Sequence, residues 1–362
     1  MSKENFSDIE KIVVIDTDVP YEQNNMFFDK RLNAPNRFLW PWTYLKAQCE
    51  KAGIRMMTSD TYLSLVNKPR RALLMSVHMV GKNTSALIRS GLHPAIIFGF
   101  ENPLYACRFY FNLRRFTQDF DHAYVWSGAR ERLAPRTIFH DAAFRPHAYP
   151  LNFRVEANFI NRKFLATISR NNQLHKARRL YVRIANLFRP FPTLVNRELY
   201  LDRLKAIRFF SENPEFDLYG EWWDRPVRYE SGVDPRITRC YRGYTIDKLA
   251  TLQNYKFSIC FENTIFGGYV TEKIMDCFFA GAIPVYYGAP DVAKYIPAEL
   301  FIDFRKFRSY TELDNYLKGI NEKTYNAYIT KINRFISSGG YYPFSQEKFA
   351  KEIIEIVNGY YL

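Results

Sequence analysis

The sequence predicts an α/β protein with two parallel β-sheets that follow one another along the chain. Short apolar runs rich in β-branched and aromatic residues alternate with helical patterns, first over residues 11–100 and again from residue 163 onwards. Residues 145–161 contain two prolines and no clear period, which is typical of a linker between domains. We therefore expect three parts, which are an N-terminal domain at 1–158, a C-terminal domain at 159–344 and a terminal helix at 345–362.

In the first series, residues 11–18 are expected to form a strand with an acidic tip. A helix is expected at 38–53, because Gly53 closes its pattern and glycine is common just past a helix C-terminus. Further strands of this series are expected at 54–59, 72–77 and 95–100.

In the second series, the first strand is expected at 163–169, and a charged helix follows near 197–209. The tail at 345–362 has apolar residues at helical spacing and is expected to form an amphipathic helix that ends at Gly359. Further strands of this series are expected at 216–220, 256–261 and 283–287.

Composition and charge limit the function classes. With 362 residues, of which 47% are hydrophobic, the chain is long enough for two globular domains. Lysine and arginine outnumber aspartate and glutamate by 51 to 37, which gives a net charge of +14. Such a charge predicts an anionic partner, which would be a nucleotide, a nucleic acid or an anionic membrane. No apolar signal-peptide core and no run of apolar residues long enough for a transmembrane helix is visible in the sequence.

The five cysteines are odd in number and lack the spacing of metal ligands, which indicates buried free thiols in a reducing compartment. We therefore expect a cytoplasmic protein, with peripheral association with the inner face of the membrane as an open alternative. The six histidines are scattered without a pair at metal-binding spacing, so they predict no zinc site.

The stretch from 255 to 288 carries the most informative local chemistry. A strand, a loop with two glycines, a helix and a second strand follow one another, and Thr271 is expected at the helix N-cap. A helix N-terminus with Lys273 in its first turn favours phosphate, while the neighbouring Glu272 would accept hydrogen bonds from ribose hydroxyls. The pair therefore suggests a nucleotide with ribose and pyrophosphate. The same pattern also fits a capped helix whose Glu and Lys are merely solvated.

The block at 261–307, which begins with Phe-Glu-Asn and contains Gly-Tyr-Val-Thr-Glu-Lys, resembles the GDP-fucose-dependent α1,3-fucosyltransferases of glycosyltransferase family 10. Supporting matches are FLATISRN at 164–171, DLYG at 217–220 and ENP at 101–103. The resemblance covers most of 160–310 and only thin parts of the first 150 residues. It implies a GT-B fold, in which two Rossmann-like domains face each other across a cleft, with the acceptor on the N-terminal domain and GDP-fucose on the C-terminal one.

The resemblance also implies roles for individual residues. Lys273 and Arg197 would bind the pyrophosphate, and Glu272 would hold the ribose. Tyr269 would lie at the pyrophosphate or the fucose. Two further residues would shape the donor site behind the glycine loop, namely Glu262 and Asn263.

The resemblance assigns Glu101 as the general base, although the family's serine after that glutamate is Asn102 here. The implied reaction inverts the anomeric centre of a β-linked donor, which needs one base and one stabilised leaving group. Arginine, lysine and the helix N-terminus would meet the charge on GDP, so neither a cofactor nor a divalent metal is expected to be required. The acceptor is expected to be an oligosaccharide or glycolipid, such as N-acetylglucosamine in a lactosamine-type or surface polysaccharide chain, modified at O3 or O4.

Two rival functions stay open. The Asp-Thr-Asp at 16–18 follows a strand, and such a motif can hold Mn²⁺ on a different nucleotide-sugar; it also fits a solvated strand end. The net charge of +14, with 26 tyrosines and 31 phenylalanines, would suit a nucleic-acid-binding protein. No RRM, KH or OB signature is present and the aromatic residues lie mostly in apolar elements, so nucleic acid is not an expected partner.

The segment 173–195 contains five arginines or lysines before the proline that stops it, and no aspartate or glutamate. As a helix it would place four apolar residues on one face, namely Leu180, Ile184, Leu187 and Phe188. The basic residues fall mainly on the other face, namely Lys176, Arg178, Arg179, Arg183 and Arg189. This pattern predicts either a helix packed on the C-terminal domain or an interfacial helix on an anionic membrane, near a lipid-linked acceptor.

Overall fold

The computed structural model describes residues 11–17, 19, 22–29, 31, 39–69, 71–77, 81, 83–188, 198–228 and 230–362. The chain forms two compact units. The first unit combines Met1–Pro150 with Tyr342–Leu362, and the second is Leu151–Tyr341. The chain therefore passes from the first unit to the second inside the segment that the sequence predicts as a linker.

The first unit contains a six-stranded parallel sheet in the order β2-β1-β3-β4-β5-β6. Its strands and the helices between them are β1 (Lys11–Asp16), α1 (Trp40–Lys51), β2 (Ile54–Thr58), α2 (Ser59–Leu63), β3 (Ala72–Ser76), α3 (Thr84–Arg89), β4 (His93–Phe98), α4 (Cys107–Phe111), α5 (Leu113–Thr117), β5 (His122–Val125) and β6 (Ile138–Asp141). The apolar residues of β1 are fully buried because a parallel sheet is covered on both faces.

The second unit contains a five-stranded parallel sheet in the order β11-β10-β9-β7-β8. Its elements are β7 (Lys163–Ile168), α6 (Lys176–Phe188), α7 (Tyr200–Phe210), β8 (Phe216–Tyr219), α8 (Pro235–Cys240), α9 (Lys248–Leu252), β9 (Tyr255–Phe261), α10 (Glu272–Ala280), β10 (Ile283–Tyr287), β11 (Ile302–Asp303), α11 (Tyr310–Gly319) and α12 (Glu322–Ser337). The chain places β8 on one side of β7 and β9 on the other, so the order reverses there. Ligands of open α/β sheets bind at the carboxyl ends of the strands at such a reversal.

The last helix, α13 (Gln346–Gly359), returns to the first unit. Its apolar face joins the first unit's core, and the Phe349 ring lies 5.3 Å from that of Trp42 on α1. Beyond the helix, the Tyr361 hydroxyl accepts the backbone N–H of Ile12 at 3.1 Å. The tail that the sequence separates as a third part is therefore a structural element of the first unit.

Candidate functional site at the junction of β9 and α10

Glu262, the residue after β9, is the centre of a buried polar cluster. Its side chain is fully buried, and a buried carboxylate must have donors around it. One carboxylate oxygen accepts the backbone N–H of Thr271 at 2.8 Å, and the other accepts the Lys273 ammonium at 2.9 Å. The Thr271 hydroxyl also lies within 3.0 Å of both oxygens. Glu262 therefore ties the end of the central strand β9 to the start of α10.

Lys273 is held by this cluster but still reaches the surface. Its ammonium donates to Glu262 and to the Thr271 hydroxyl, both at 2.9 Å, and 24% of its side chain is exposed. Burial opposes the charge on the ammonium, but the carboxylates of Glu262 and Glu272 outweigh that effect and raise the pKa of Lys273. Lys273 therefore stays charged. Because an ammonium has three N–H donors and two of them are used here, Lys273 can still bind an anion from the solvent side.

Thr271 occupies the N-cap position of α10 as the sequence predicts, but its side chain does not cap the helix. Its hydroxyl is instead hydrogen-bonded to the carboxylate of Glu262. Glu272 follows in the first turn, where 31% of its side chain is exposed and its carboxylate lies 3.9 Å from the Lys248 ammonium of α9. The pair Glu272–Lys273 thus lies at the helix N-terminus, which is the position that the sequence predicts for ribose and phosphate binding.

Two glycines shape the backbone around the cluster. Gly268 adopts a left-handed conformation with a φ of 72°, and its N–H donates to Asp291 Oδ1 at 2.9 Å. Gly288 follows β10, and a Cβ there would lie only 2.5 Å from the Glu262 side chain. A larger residue at 288 would therefore displace the carboxylate that holds Lys273.

Tyr269 and Asn263 are the two remaining predicted donor-site residues of this segment. Only 3% of Tyr269 is exposed, so its ring packs inside the loop rather than on an open surface. Asn263 is half-buried, and its backbone carbonyl oxygen accepts the backbone N–H of Leu199 at 3.0 Å. Direct ligand contacts for both residues stay predictions.

Arg203 on α7 is a member of the cluster that the sequence interpretation misses. It is buried, and one guanidinium nitrogen donates to the carbonyl oxygens of Phe261 and Glu262 at 2.8 and 3.0 Å and to Asn263 Oδ1 at 3.0 Å. Burial lowers the pKa of Arg203, and the three acceptors compensate for the solvation that its guanidinium loses. The available signal was an arginine within the apolar stripe of a helix, since Tyr200, Leu204 and Ile207 on the same face are buried.

Arg197, the predicted second phosphate ligand, lies outside the described residues. The residue after it, Glu198, pairs with Thr264 in an antiparallel bridge beside the cluster. The Glu198 carboxylate also forms an ion pair with Arg179 of α6. The chain that leads into α7 is therefore attached to the loop after β9.

Glu101, the predicted base, belongs to the first unit and follows β4 with an exposed side chain. Its backbone carbonyl accepts the indole N–H of Trp126 at 3.1 Å, which fixes the backbone at this position. The adjacent Asn102 is buried, and its side-chain oxygen accepts the backbone N–H of Leu104 at 2.9 Å. Asn102 thus performs the turn-forming role that a serine also can perform.

Asp16, the first aspartate of the Asp-Thr-Asp motif, does not form an open metal ligand. It is fully buried, and its two oxygens accept the hydroxyls of Ser59 and Thr84 at 2.9 and 2.6 Å. The second aspartate, Asp18, lies outside the described residues. The metal-dependent alternative therefore loses the support of the first aspartate of its motif.

Across the part of the chain that the structure describes, no group of three or more histidine, cysteine, aspartate or glutamate side chains could hold a metal ion. Among those same residues, no helix combines the length and the apolar character that crossing a bilayer requires.

Comparison with known proteins identifies the region that contains the cluster. Residues 197–337 match the family model of the C-terminal part of glycosyltransferase family 10 (fucosyltransferase). The chain is 35% identical over 125 residues to the alpha-(1,3)-fucosyltransferase FucT of Helicobacter pylori, a match that covers 34% of this chain and 26% of the relative. It is 41% identical over 130 residues to the 4-galactosyl-N-acetylglucosaminide 3-alpha-L-fucosyltransferase 9 of Mus musculus, covering 35% and 32% respectively. The matched regions thus span only about a quarter to a third of these relatives.

A crystal structure of an alpha1,3-fucosyltransferase is similar in fold. The comparison covers 99% of this chain and 93% of that chain, with a TM-score of 0.52 and 15% sequence identity. The fold class that the sequence predicts, α/β with two parallel sheets of the GT-B type, is confirmed.

Proposed function

We propose that this chain, which carries the C-terminal domain of glycosyltransferase family 10, transfers L-fucose from GDP-β-L-fucose to a hydroxyl of a glycan. The observation that carries the proposal is the cluster of Glu262, Thr271 and Lys273. It lies at the carboxyl end of the central strand, at the N-terminus of α10 and inside the matched region. That is the position where an open α/β sheet binds a nucleotide.

The donor would bind through its diphosphate and its ribose. The third N–H of Lys273 would donate to a phosphate oxygen, aided by the dipole of α10 and by the charge of Arg197. Glu272, in the same turn, would accept hydrogen bonds from the ribose hydroxyls. Tyr269 would approach the pyrophosphate or the fucose only after the loop around it shifts, since its ring is buried.

Glu262 and Asn263 would act on the donor through other residues. Glu262 fixes the position and the positive charge of Lys273, and Asn263 is held by Arg203 at the end of β9. We therefore assign both as positioning residues of the donor site, and we add Arg203 to them. A substitution of any of the three would disturb donor binding without removing a ligand contact.

The transfer itself needs a base on the acceptor. Glu101 would take the proton of the acceptor hydroxyl while that oxygen forms a bond to C1 of fucose. The bond from C1 to the phosphate oxygen breaks in the same step, and the electron pair stays on GDP, where Lys273 and Arg197 stabilise it. One displacement converts the β-linked donor into an α-linked product.

No divalent metal or cofactor takes part in this proposal, because the cationic side chains and the helix N-terminus supply the positive charge that the leaving group needs. The acceptor would be an oligosaccharide or glycolipid, modified at O3 or O4. N-acetylglucosamine in a lactosamine-type or surface polysaccharide chain is the favoured class, since the printed name of the mouse relative gives a galactosyl-N-acetylglucosaminide as its acceptor.

We also propose a cytoplasmic location. All five cysteines are free thiols buried in the structure, as expected for a protein that folds in a reducing compartment.

The test is a transfer assay with a panel of donors and a glycan array of acceptors. We expect GDP release and product formation with GDP-fucose, and unchanged rates after treatment with EDTA. Turnover of a UDP-sugar with a requirement for Mn²⁺, and no turnover of GDP-fucose, would contradict the proposal and revive the metal-dependent alternative. NMR of the product gives the linkage position and the anomeric configuration.

A further inference from the structure

Helix α6 presents its apolar face to solvent. Five large apolar side chains are exposed, from 44% for Tyr181 to 81% for Phe188; the others are Leu180, Ile184 and Leu187. At 3.6 residues per turn these five lie within an arc of about 120° on one side of the helix. The expectation that this face packs on the C-terminal domain is therefore wrong, and the face lacks the burial that normally stabilises an amphipathic helix.

The opposite side of α6 holds the helix to the second unit. Val182, which points nearly opposite to the exposed arc, is only 4% exposed. Arg179 lies on the same side and forms an ion pair with Glu198, the residue that bridges to Thr264. The orientation of the helix is thus set by these two attachments, which direct the apolar arc outwards.

The charges of α6 are all of one sign. Residues 173–188 contain no aspartate or glutamate, and Lys176 and Arg183 are exposed at one border of the apolar arc. Arg178 lies beyond the other border and is half-buried. Long basic side chains beside an apolar face can extend to the phosphates of lipid headgroups while the apolar side chains enter the acyl boundary.

The charge also limits which partner can cover this face. Two copies of the chain would bring two basic helices together, and their like charges would repel. An anionic membrane combines negative charge with an apolar interior, so it complements both parts of the surface.

We propose that α6 lies in the headgroup region of an anionic membrane and holds the protein there as a peripheral enzyme. Leu180, Tyr181, Ile184, Leu187 and Phe188 enter the acyl boundary, and Lys176 and Arg183 contact lipid phosphates. This contact stands independently of the donor chemistry; only its benefit, access to a lipid-linked acceptor, rests on the proposed fucosyltransferase activity.

The test is co-sedimentation of the full chain with vesicles of phosphatidylcholine alone and with vesicles that also contain phosphatidylglycerol. We expect binding to the anionic vesicles at low salt and much weaker binding at high salt, because salt screens the headgroup charge. Each cation near such a surface contributes about fivefold in partitioning, so K176Q/R183Q should weaken binding by about 25-fold. L187S/F188S should abolish it, and because both side chains are highly exposed we expect the variant to keep the fold.

Matched controls separate the helix from general surface properties. I160S removes an equally exposed apolar side chain elsewhere, and K323Q/R308Q removes two exposed charges from other parts of the second unit. Both controls should bind vesicles like the parent. Arg179 is left unchanged in every variant because its ion pair with Glu198 positions the helix.

Three outcomes would overturn the proposal. The first is that the parent does not sediment with anionic vesicles at low salt, and the second is that the α6 variants bind as tightly as the parent. The third is that the parent is a dimer that L187S/F188S converts to a monomer. Fucosyl transfer to a soluble acceptor should be the same in parent and α6 variants. Absence of transfer in the parent would instead contradict the proposed function and leave the sedimentation result unaffected.

Discussion

Both units place a buried carboxylate at the carboxyl end of an interior strand, but the two carboxylates differ in their partners. Asp16 ends β1 and accepts hydroxyl donors from Ser59 and Thr84. Glu262 follows β9 and accepts the ammonium of Lys273, which keeps part of its side chain in solvent. Under the proposed function, this exposed charge is what makes the Glu262 cluster a binding site, whereas the Ser59 and Thr84 hydroxyls carry no charge.

The largest effect should come from the first unit, which contains the proposed base. E101Q keeps the size and hydrogen-bonding ability of the side chain but cannot take a proton, so kcat should fall by about 10²–10⁴. GDP affinity should not change, because Glu101 belongs to the first unit. Steady-state kinetics and calorimetry measure the two quantities, and near-normal turnover would remove Glu101 from the mechanism.

The second-largest loss of activity is expected from changes to the proposed phosphate ligands of the second unit. K273A removes a charge-assisted hydrogen bond to phosphate, and such bonds contribute about 1.5–3 kcal/mol, so kcat/KM should fall about tenfold or more. R197A should behave alike if Arg197 is the second phosphate ligand. The control is K318A, which removes another partly exposed, ion-paired lysine of the same unit. If K273A and R197A both bind GDP as tightly as the parent in calorimetry, the donor site is assigned wrongly.

The two buried carboxylates can be compared directly by neutralising each. D16N leaves the Ser59 and Thr84 hydroxyls with a weaker acceptor and should lower the stability of the protein by about 1–3 kcal/mol, without a change in GDP affinity. E262Q should lower both stability and GDP affinity, because it also removes the charge that fixes Lys273. Thermal denaturation and calorimetry give the two values for each variant. If D16N loses as much GDP affinity as E262Q, the two carboxylates do not differ in their effect on GDP binding and the comparison is wrong.

The smallest effect is expected in how the stability of the first unit depends on pH. In this unit His140 of β6 lies against Glu352 of α13. Its Nδ1 lies 2.7 Å from Glu352, and its Nε2 lies 3.0 Å from Nδ1 of His122. Burial and the nearby Lys348 lower the pKa of His140 to about 4, and burial also lowers the pKa of His122. Since the unfolded chain then binds more protons, stability should fall as the pH drops from about 6.5 towards 4.

The measurement is the melting temperature of parent and H140Q over that pH range. H140Q should be less stable than the parent near neutral pH and should lose less stability on acidification. The same pH slope in both proteins would show that His140 does not titrate with folding. Hydrogen exchange in α13 would report the effect locally, because the histidine contacts the residues of that helix.

The sequence alone determined the class of fold, because buried parallel strands are continuous apolar runs. The expected strands at 54–59 and 256–261 correspond to β2 and β9, and Gly281 ends α10 in the left-handed conformation that its position predicts. The strands β5 and β6 at one side of the first sheet escaped the interpretation, since they are short and carry histidines that interrupt the apolar pattern. The site segment was visible as well, since the glycine loop and Glu272–Lys273 are adjacent in the sequence.

Only the tertiary structure decided which partners these residues have, because hydrogen bonds between distant segments leave no local pattern. It joined Glu262 to Lys273, brought the buried Arg203 from α7 to the end of β9, and placed Tyr269 inside the loop. It also decided that α13 completes the core of the first unit while α6 exposes its apolar face. The two helices have the same amphipathic periodicity, and periodicity shows that a helix has an apolar side without showing what covers it.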